Sequence, residues 1–187
     1  MRTSVLPHLI IINGLVWLAG LRFPRLPYYM AVHKIQYGLE AWQVLTYFFT
    51  HRSFWHILAN MVALWSLGSA VEPVMGRRKF LVFYLFVGIA SGIALAFLDP
   101  SPIPVLGAST SVSGVLAAFA YLFPRSHLVI FPVPIPIRAK WLAIGFAALS
   151  ALLFIWEPVM GGISHLGHLF GLFFGWVYMR WLWQMRL

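Results

Sequence analysis

A serine and a histidine stand in two separate apolar stretches of membrane length, each beside small residues. Ser109 follows Gly107-Ala108, and His168 opens His168-Leu169-Phe170-Gly171, with Gly175 four residues further on. Polar side chains inside a bilayer are costly and are functional candidates by default. A hydroxyl nucleophile and an imidazole base on two such stretches point to hydrolysis within a membrane.

The run Gly107-Ala108-Ser109-Thr110-Ser111-Val112-Ser113-Gly114 holds three serines within five residues. Serines also serve membrane helices as packing groups. Ser109 is set apart by its place at a helix mouth, where unpaired backbone N–H groups could hold an oxyanion. Ser113, one turn deeper on the same face, is the rival nucleophile. His168, Gly171 and Gly175 also share one helical face, and glycines there admit a neighbouring backbone, drawing His168 toward a partner helix. A hydrogen-bonded packing histidine is the bland alternative, and His165, one turn earlier, is the alternative base. In His56-Ile57-Leu58-Ala59-Asn60 the i, i+4 spacing stacks two hydrogen-bond donors, as an oxyanion site requires.

The acids are Glu40, Glu72, Asp99 and Glu157, none of them in the stretches of Ser109 or His168. A Ser-His-Asp triad needs a carboxylate beside the histidine, so a Ser109–His168 dyad is the simplest arrangement. His51, His56, His165 and His168 could offer imidazoles to zinc, but zinc hydrolysis usually adds a carboxylate or another base. Metal chemistry is therefore the weaker alternative, and no metal or cofactor is expected. Glu72, in Gly68-Ser69-Ala70-Val71-Glu72-Pro73-Val74-Met75-Gly76, reads as a brace, through backbone N–H groups or a pairing with Arg78.

Elements able to position these residues follow from composition. Of 187 residues 61% are hydrophobic and 9% charged, against roughly 25% charged in soluble domains. Six apolar stretches qualify as spans of about 20 residues: residues 5–21, 55–71, 80–98, 109–123, 141–156 and 167–183. The fourth is short and is expected to begin below the membrane surface. An all-α bundle of six transmembrane helices, one domain over 1–187, is the expected fold. The first span has only Arg2 before it and no clear small-x-small cleavage site, so it reads as a retained helix rather than a signal peptide.

The net charge of +9 does not call for nucleic acid. With the N-terminus inside, Arg2, Arg77, Arg78, Lys79, Arg125, Arg138, Lys140, Arg180 and Arg186 fall on cytoplasmic flanks. Arg22, Arg25, Lys34 and Arg52 fall outside, as the positive-inside rule requires. There is no cysteine, which excludes disulfides and thiolate chemistry. The connection from Arg22 to Arg52 is long and aromatic, with Tyr28, Tyr29, Tyr37, Trp42 and Tyr47, and is expected to lie ordered in the outer interface. A proline run from Asp99 to Pro104 blocks helix continuation before Ser109, and a second, Phe131 to Ile137, is expected to form an extended interfacial connector.

His56-x-x-x-Asn60, Gly107-x-Ser109 and His168-x-x-Gly171-x-x-x-Gly175, in this order on successive spans, resemble the rhomboid family of intramembrane serine proteases. The segment around Glu72 and Gly76, and Trp42 in the long first loop, are similar as well. The resemblance implies a six-helix bundle with a water-filled cavity open to the non-cytoplasmic side. It implies Ser109 as nucleophile, His168 as general base, and His56, Asn60 and the Ser109 backbone N–H around the oxyanion. Ser113 would pack on the histidine, and Gly107 and Gly171 would support the site. Substrates would be transmembrane proteins, in a bacterial cytoplasmic membrane with the site toward its outer side.

Two positions depart from that pattern. The family usually has glycine after the nucleophile, where this chain has Thr110, a stiffer β-branched residue. Its Trp-Arg pair is Trp42-Gln43 here. A non-catalytic rhomboid-like protein that binds transmembrane clients is the alternative, and Thr110 is its only support. A transporter would need acidic or paired charges within the spans. The fifth span, which has no charged residue between Trp141 and Trp156, is with the outer loop the expected mobile element for substrate entry.

Overall fold

The structure, a computed structural model, describes residues 4–130, 133–156 and 163–183. Arg2, Arg186, Glu157 and the start of the second proline run at 131–132 lie outside the described residues. Helix α1 (Leu6–Arg22) leads into a loop holding α2 (Leu26–Met30), a 3-10 turn (Ile35–Tyr37), α3 (Gln43–Thr46) and a second 3-10 turn (Tyr47–Phe49). Helices α4 (Phe54–Met75), α5 (Arg77–Leu98) and α6 (Ser109–Leu122) follow. Strands β1 (His127–Ile130) and β2 (Val133–Arg138), α7 (Ala139–Trp156) and α8 (His165–Val177), which ends in a π turn (Tyr178–Leu182), complete the order.

Helices α4, α5 and α7 are long and apolar enough to cross a membrane, whereas α1 and α6 are apolar but shorter. With α8 at 13 residues, six helices of 13 residues or more among the described residues fall on the six expected stretches, and three of them reach spanning length. The all-α expectation needs a correction between α6 and α7. There the chain forms an antiparallel hairpin pairing His127 with Arg138, Leu128 with Ile137 and Val129 with Pro136. Proline blocks helix but is tolerated where a strand is an edge, and both strands of a two-stranded sheet are edges.

Helix α6 is the axis of the bundle. Every residue from Thr110 to Phe119 is buried, which explains why its sequence is apolar or small on all sides. Phe80, Phe83, Tyr84 and Val87 of α5 pack with Val115 and Ala118 of α6 in the solvent-free core. Ser53 caps α4 by accepting the His56 N–H, and Ser164 caps α8 by accepting the Gly167 N–H. Helix α7 is peripheral, burying only Ala139 and Ser150. Glu72 takes the backbone-bracing option: its carboxylate accepts the Val5 N–H at 2.8 Å and the Ser4 hydroxyl, so the end of α4 holds the start of α1.

The long first loop is ordered, and it is tied to the α5–α6 connection. Val32 and Val105 exchange backbone hydrogen bonds of 2.8 and 3.0 Å. Lys34 pairs with Asp99 at 3.0 Å and also donates to the Ile103 carbonyl, with both charged side chains almost fully buried. Gln43, where an arginine was absent from the expected pair, is buried and accepts the His33 and Glu40 N–H groups at 3.3 and 3.1 Å. Four of the loop's aromatics, Tyr28, Tyr29, Tyr37 and Trp42, are exposed as an interfacial role requires. Tyr47 is not one of them: it is wholly buried between α5 and α6.

Candidate active site

The turns carrying Ser109 and His168 are brought together by a seam of glycines between α6 and α8. A Cβ on Gly171 would lie 2.1 Å from the Thr110 carbonyl oxygen and 2.9 Å from Ser113 Cβ. One on Gly175 would lie 2.6 Å from Gly114 Cα, and one on Gly167 would lie 3.0 Å from Thr110 Cγ2. The contacts advance in step along both chains, so the helices run parallel and backbone against backbone. His168, between Gly167 and Gly171 on its helix, is thereby held at the level of the Ser109–Ser113 turn.

The hydroxyls of this turn have different fates. Ser113 Oγ donates to the Ser109 carbonyl at 2.7 Å, a bond within the helix that occupies its hydrogen. Ser109 is half-buried, and among the described residues its hydroxyl makes no hydrogen bond, to His168 or to any other group. Bonds of this kind are often long before substrate arrives. His168 Nδ1 is buried with no partner among the described residues, so none of the carboxylates among them orients the ring. Packing does this instead: the Phe146 ring of α7 lies 5.1 Å from the His168 ring at a shallow 34°. His165 lies at the α8 start, 6.0 Å from His168 between ring centres. It lines a cavity of about 30 Å³ with Asp99, Ser101, Val105 and Ser164, room for about one water.

The α4 residues approach from the other side. Gly107 has φ +121°, open to glycine alone, and a Cβ there would fall 2.6 Å from the His56 ring. The glycine is required twice over, by its backbone and by the imidazole against it. Asn60 is buried, and its Nδ2 donates one hydrogen to the His56 carbonyl at 2.8 Å, leaving its second hydrogen available. The N–H groups of Ser109, Thr110 and Ser111 open α6 and have no intrahelical acceptor.

Three contributors escaped the sequence. His51 Nε2 accepts the Ala108 N–H at 3.3 Å and its ring stands 5.0 Å from that of His56. Burial, then the neighbouring His56, pulls the His51 imidazole down to about 3, so it stays neutral and keeps accepting. The others are Phe146 and Tyr47. These two looked like ordinary apolar or interfacial residues and His51 like a possible zinc ligand, and only the fold aims them at the site. Thr110, the departure beside the nucleophile, is 1% exposed, with its hydroxyl 3.0 Å from Tyr47 Oη and its methyl against Gly167. For the zinc alternative, no group of three His, Cys, Asp or Glu is arranged around one point among the described residues.

Comparison with known proteins matches residues 38–185 to the Rhomboid domain. The chain is similar to Rhomboid protein 1, mitochondrial, of Saccharomyces cerevisiae, 34% identical over 124 residues, 62% of this chain and 34% of the yeast protein. It is similar to Rhomboid protease GluP of Bacillus subtilis, 42% identical over 83 residues, 44% of this chain and 16% of that protein. Presenilin-associated rhomboid-like protein A, mitochondrial, of Danio rerio is 33% identical over 141 residues, 68% of this chain and 34% of that protein. The chain thus spans about a third or less of the length of these relatives. Two of the three carry mitochondrial names, so the bacterial cytoplasmic membrane expected from the sequence is not supported by them.

Proposed function

The chain belongs to the rhomboid family, and on that footing we propose that it is an intramembrane serine endopeptidase acting through a Ser109–His168 dyad. The observation that supports this reading is the glycine seam, which packs the α8 turn carrying His168 against the α6 mouth, where Ser109 is half-buried, Ser111 fully buried and Ser113 spent on the Ser109 carbonyl. His168 takes the Ser109 proton as Oγ attacks a scissile carbonyl. The carbonyl oxygen becomes an oxyanion held by Asn60 Nδ2, His56 and the Ser109 N–H. As the intermediate collapses, the C–N bond breaks and His168 protonates the leaving amine, leaving an ester on Ser109. Water, deprotonated by His168, then attacks the ester, and the proton returns to Oγ as the carboxylate product leaves.

Substrates in this reading are transmembrane proteins, and α1, α4, α5, α6, α7 and α8 form the six spans around the site. Entry is assigned to α7, which is the least buried long helix and covers His168 with Phe146. The client-binding alternative rests on Thr110, whose side chain is engaged by Tyr47 and Gly167 as part of the scaffold.

The experiment is labelling of the purified protein by a serine-directed fluorophosphonate, paired with cleavage of a transmembrane substrate. Both signals are expected in the native chain and lost in Ser109→Ala and His168→Ala. Cleavage that survives Ser109→Ala overturns the assignment, whereas a native chain that binds the substrate without labelling or cleaving favours the client-binding alternative.

A further inference from the structure

We propose that Tyr47, from the first loop, is the positioning residue for Ser109, gripping the α6 mouth on both sides of the nucleophile through the Gly107 amide and the Thr110 hydroxyl. The inference rests on Ser109 being the reacting group. Tyr47 accepts the Gly107 N–H on its own carbonyl at 2.9 Å, two residues before Ser109. Its phenol oxygen lies 2.7 Å from the Gly88 carbonyl of α5 and 3.0 Å from Thr110 Oγ1, one residue after Ser109.

Proton accounting orders this network. Tyr47 Oη carries one hydrogen, and a carbonyl can only accept, so that hydrogen goes to Gly88. Thr110 must therefore donate to Tyr47 Oη, and the chain of bonds runs from α6 through the loop tyrosine to α5. Burial raises the phenol above its ordinary pKa, which keeps the hydrogen in place.

Helix α5 is cut away to admit the ring. A Cβ on Gly92 would lie 2.7 Å from Tyr47 Cε1, and one on Gly88 would lie 2.8 Å from the Phe48 ring. These glycines, four apart on one face, form a slot for two consecutive loop aromatics whose rings stand perpendicular at 5.3 Å. A buried hydrogen-bonded hydroxyl in such a slot has a defined position, since losing its partner leaves a polar group unsatisfied. A glycine at 110 would offer Tyr47 no side-chain partner; Thr110 makes the grip two-sided.

The test uses the full chain in detergent micelles and four variants: Tyr47→Phe, Thr110→Val, their double, and Thr110→Ser. The readouts are the fluorophosphonate labelling rate at Ser109, kcat and KM on a transmembrane substrate, and the unfolding midpoint. Tyr47→Phe and Thr110→Val are each expected to lower labelling and kcat about tenfold, with KM within about twofold and a midpoint lowered only by the polar partners left unsatisfied. Thr110→Ser keeps the hydroxyl and is expected to restore the rate. The double is expected to match the single variants, because both remove one shared interaction. Native rates in Tyr47→Phe overturn the proposal, as do multiplied losses in the double, or losses confined to KM and the midpoint. Labelling that persists in Ser109→Ala instead overturns the nucleophile assignment and, with it, the positioning role.

Discussion

Gly171 of α8 lies so close to Thr110 of α6 that a Cβ at 171 would come within 2.1 Å of the Thr110 carbonyl oxygen. A backbone atom cannot swing aside as a side-chain tip can, so the two helices must separate to admit an alanine. Gly171→Ala is expected to cost about 1–3 kcal/mol, as overpacking does. Because an ångström of misplacement can cost about 10²-fold in rate, cleavage is expected to fall further than stability. Gly145 of α7 meets nothing within 4 Å, and Gly145→Ala is the control, expected to leave both unchanged. Equal activity in the two variants would show that the seam does not set the reacting geometry.

Asn60 keeps one amide hydrogen beyond the one it donates to the His56 carbonyl. Asn60→Ala is expected to lower kcat about 10²–10³-fold, the usual effect of losing one oxyanion donor. Fluorophosphonate labelling should fall in parallel, since phosphonylation also loads charge onto that oxygen. A rise in KM alone, with kcat preserved, would remove Asn60 from the oxyanion site.

His51 gives a pH signature. Its folded pKa of about 3 lies below the unfolded value of 6.5, so the native state holds fewer protons. Its contribution to stability is therefore fully present above about pH 6.5 and lost as pH falls toward about 3. Unfolding by denaturant in micelles at pH 7, 5.5 and 4 should show the native chain weakening more steeply than His51→Gln. Parallel curves would mean that the His51 ring is not held buried beside His56.

Lys34 and Asp99 form a buried pair that ties the first loop to the connection before Ser109. Lys34→Met strands the carboxylate and is expected to cost about 3–5 kcal/mol, whereas Lys34→Met combined with Asp99→Asn should recover much of that loss. Equal stability of the single variant and the native chain in denaturant titration would place the pair outside the load on the fold.

Much of the candidate site was readable because its residues are polar, and polarity stands out in a chain that is 61% hydrophobic. Ser109, His56, Asn60 and His168 drew notice for that reason, and the spacing of Gly171 and Gly175 already placed a close contact beside the histidine. Tyr47 and Phe146 were hidden by the same logic, since an aromatic in an apolar chain carries no contrast. The hairpin was hidden differently: alternating prolines announce an extended chain, but strand pairing needs a partner supplied by His127–Ile130.

By itself, the sequence determined the class of protein, the positions of six apolar helices and the candidate reacting groups, because composition, periodicity and the cost of polarity in lipid are local properties. Tertiary structure alone decided that Thr110 is held by Tyr47, that Lys34 answers Asp99, and that His168 leans on Phe146. Most of these are meetings between residues far apart in the chain. Their distances depend on how whole helices and loops pack, and no spacing along the sequence encodes that.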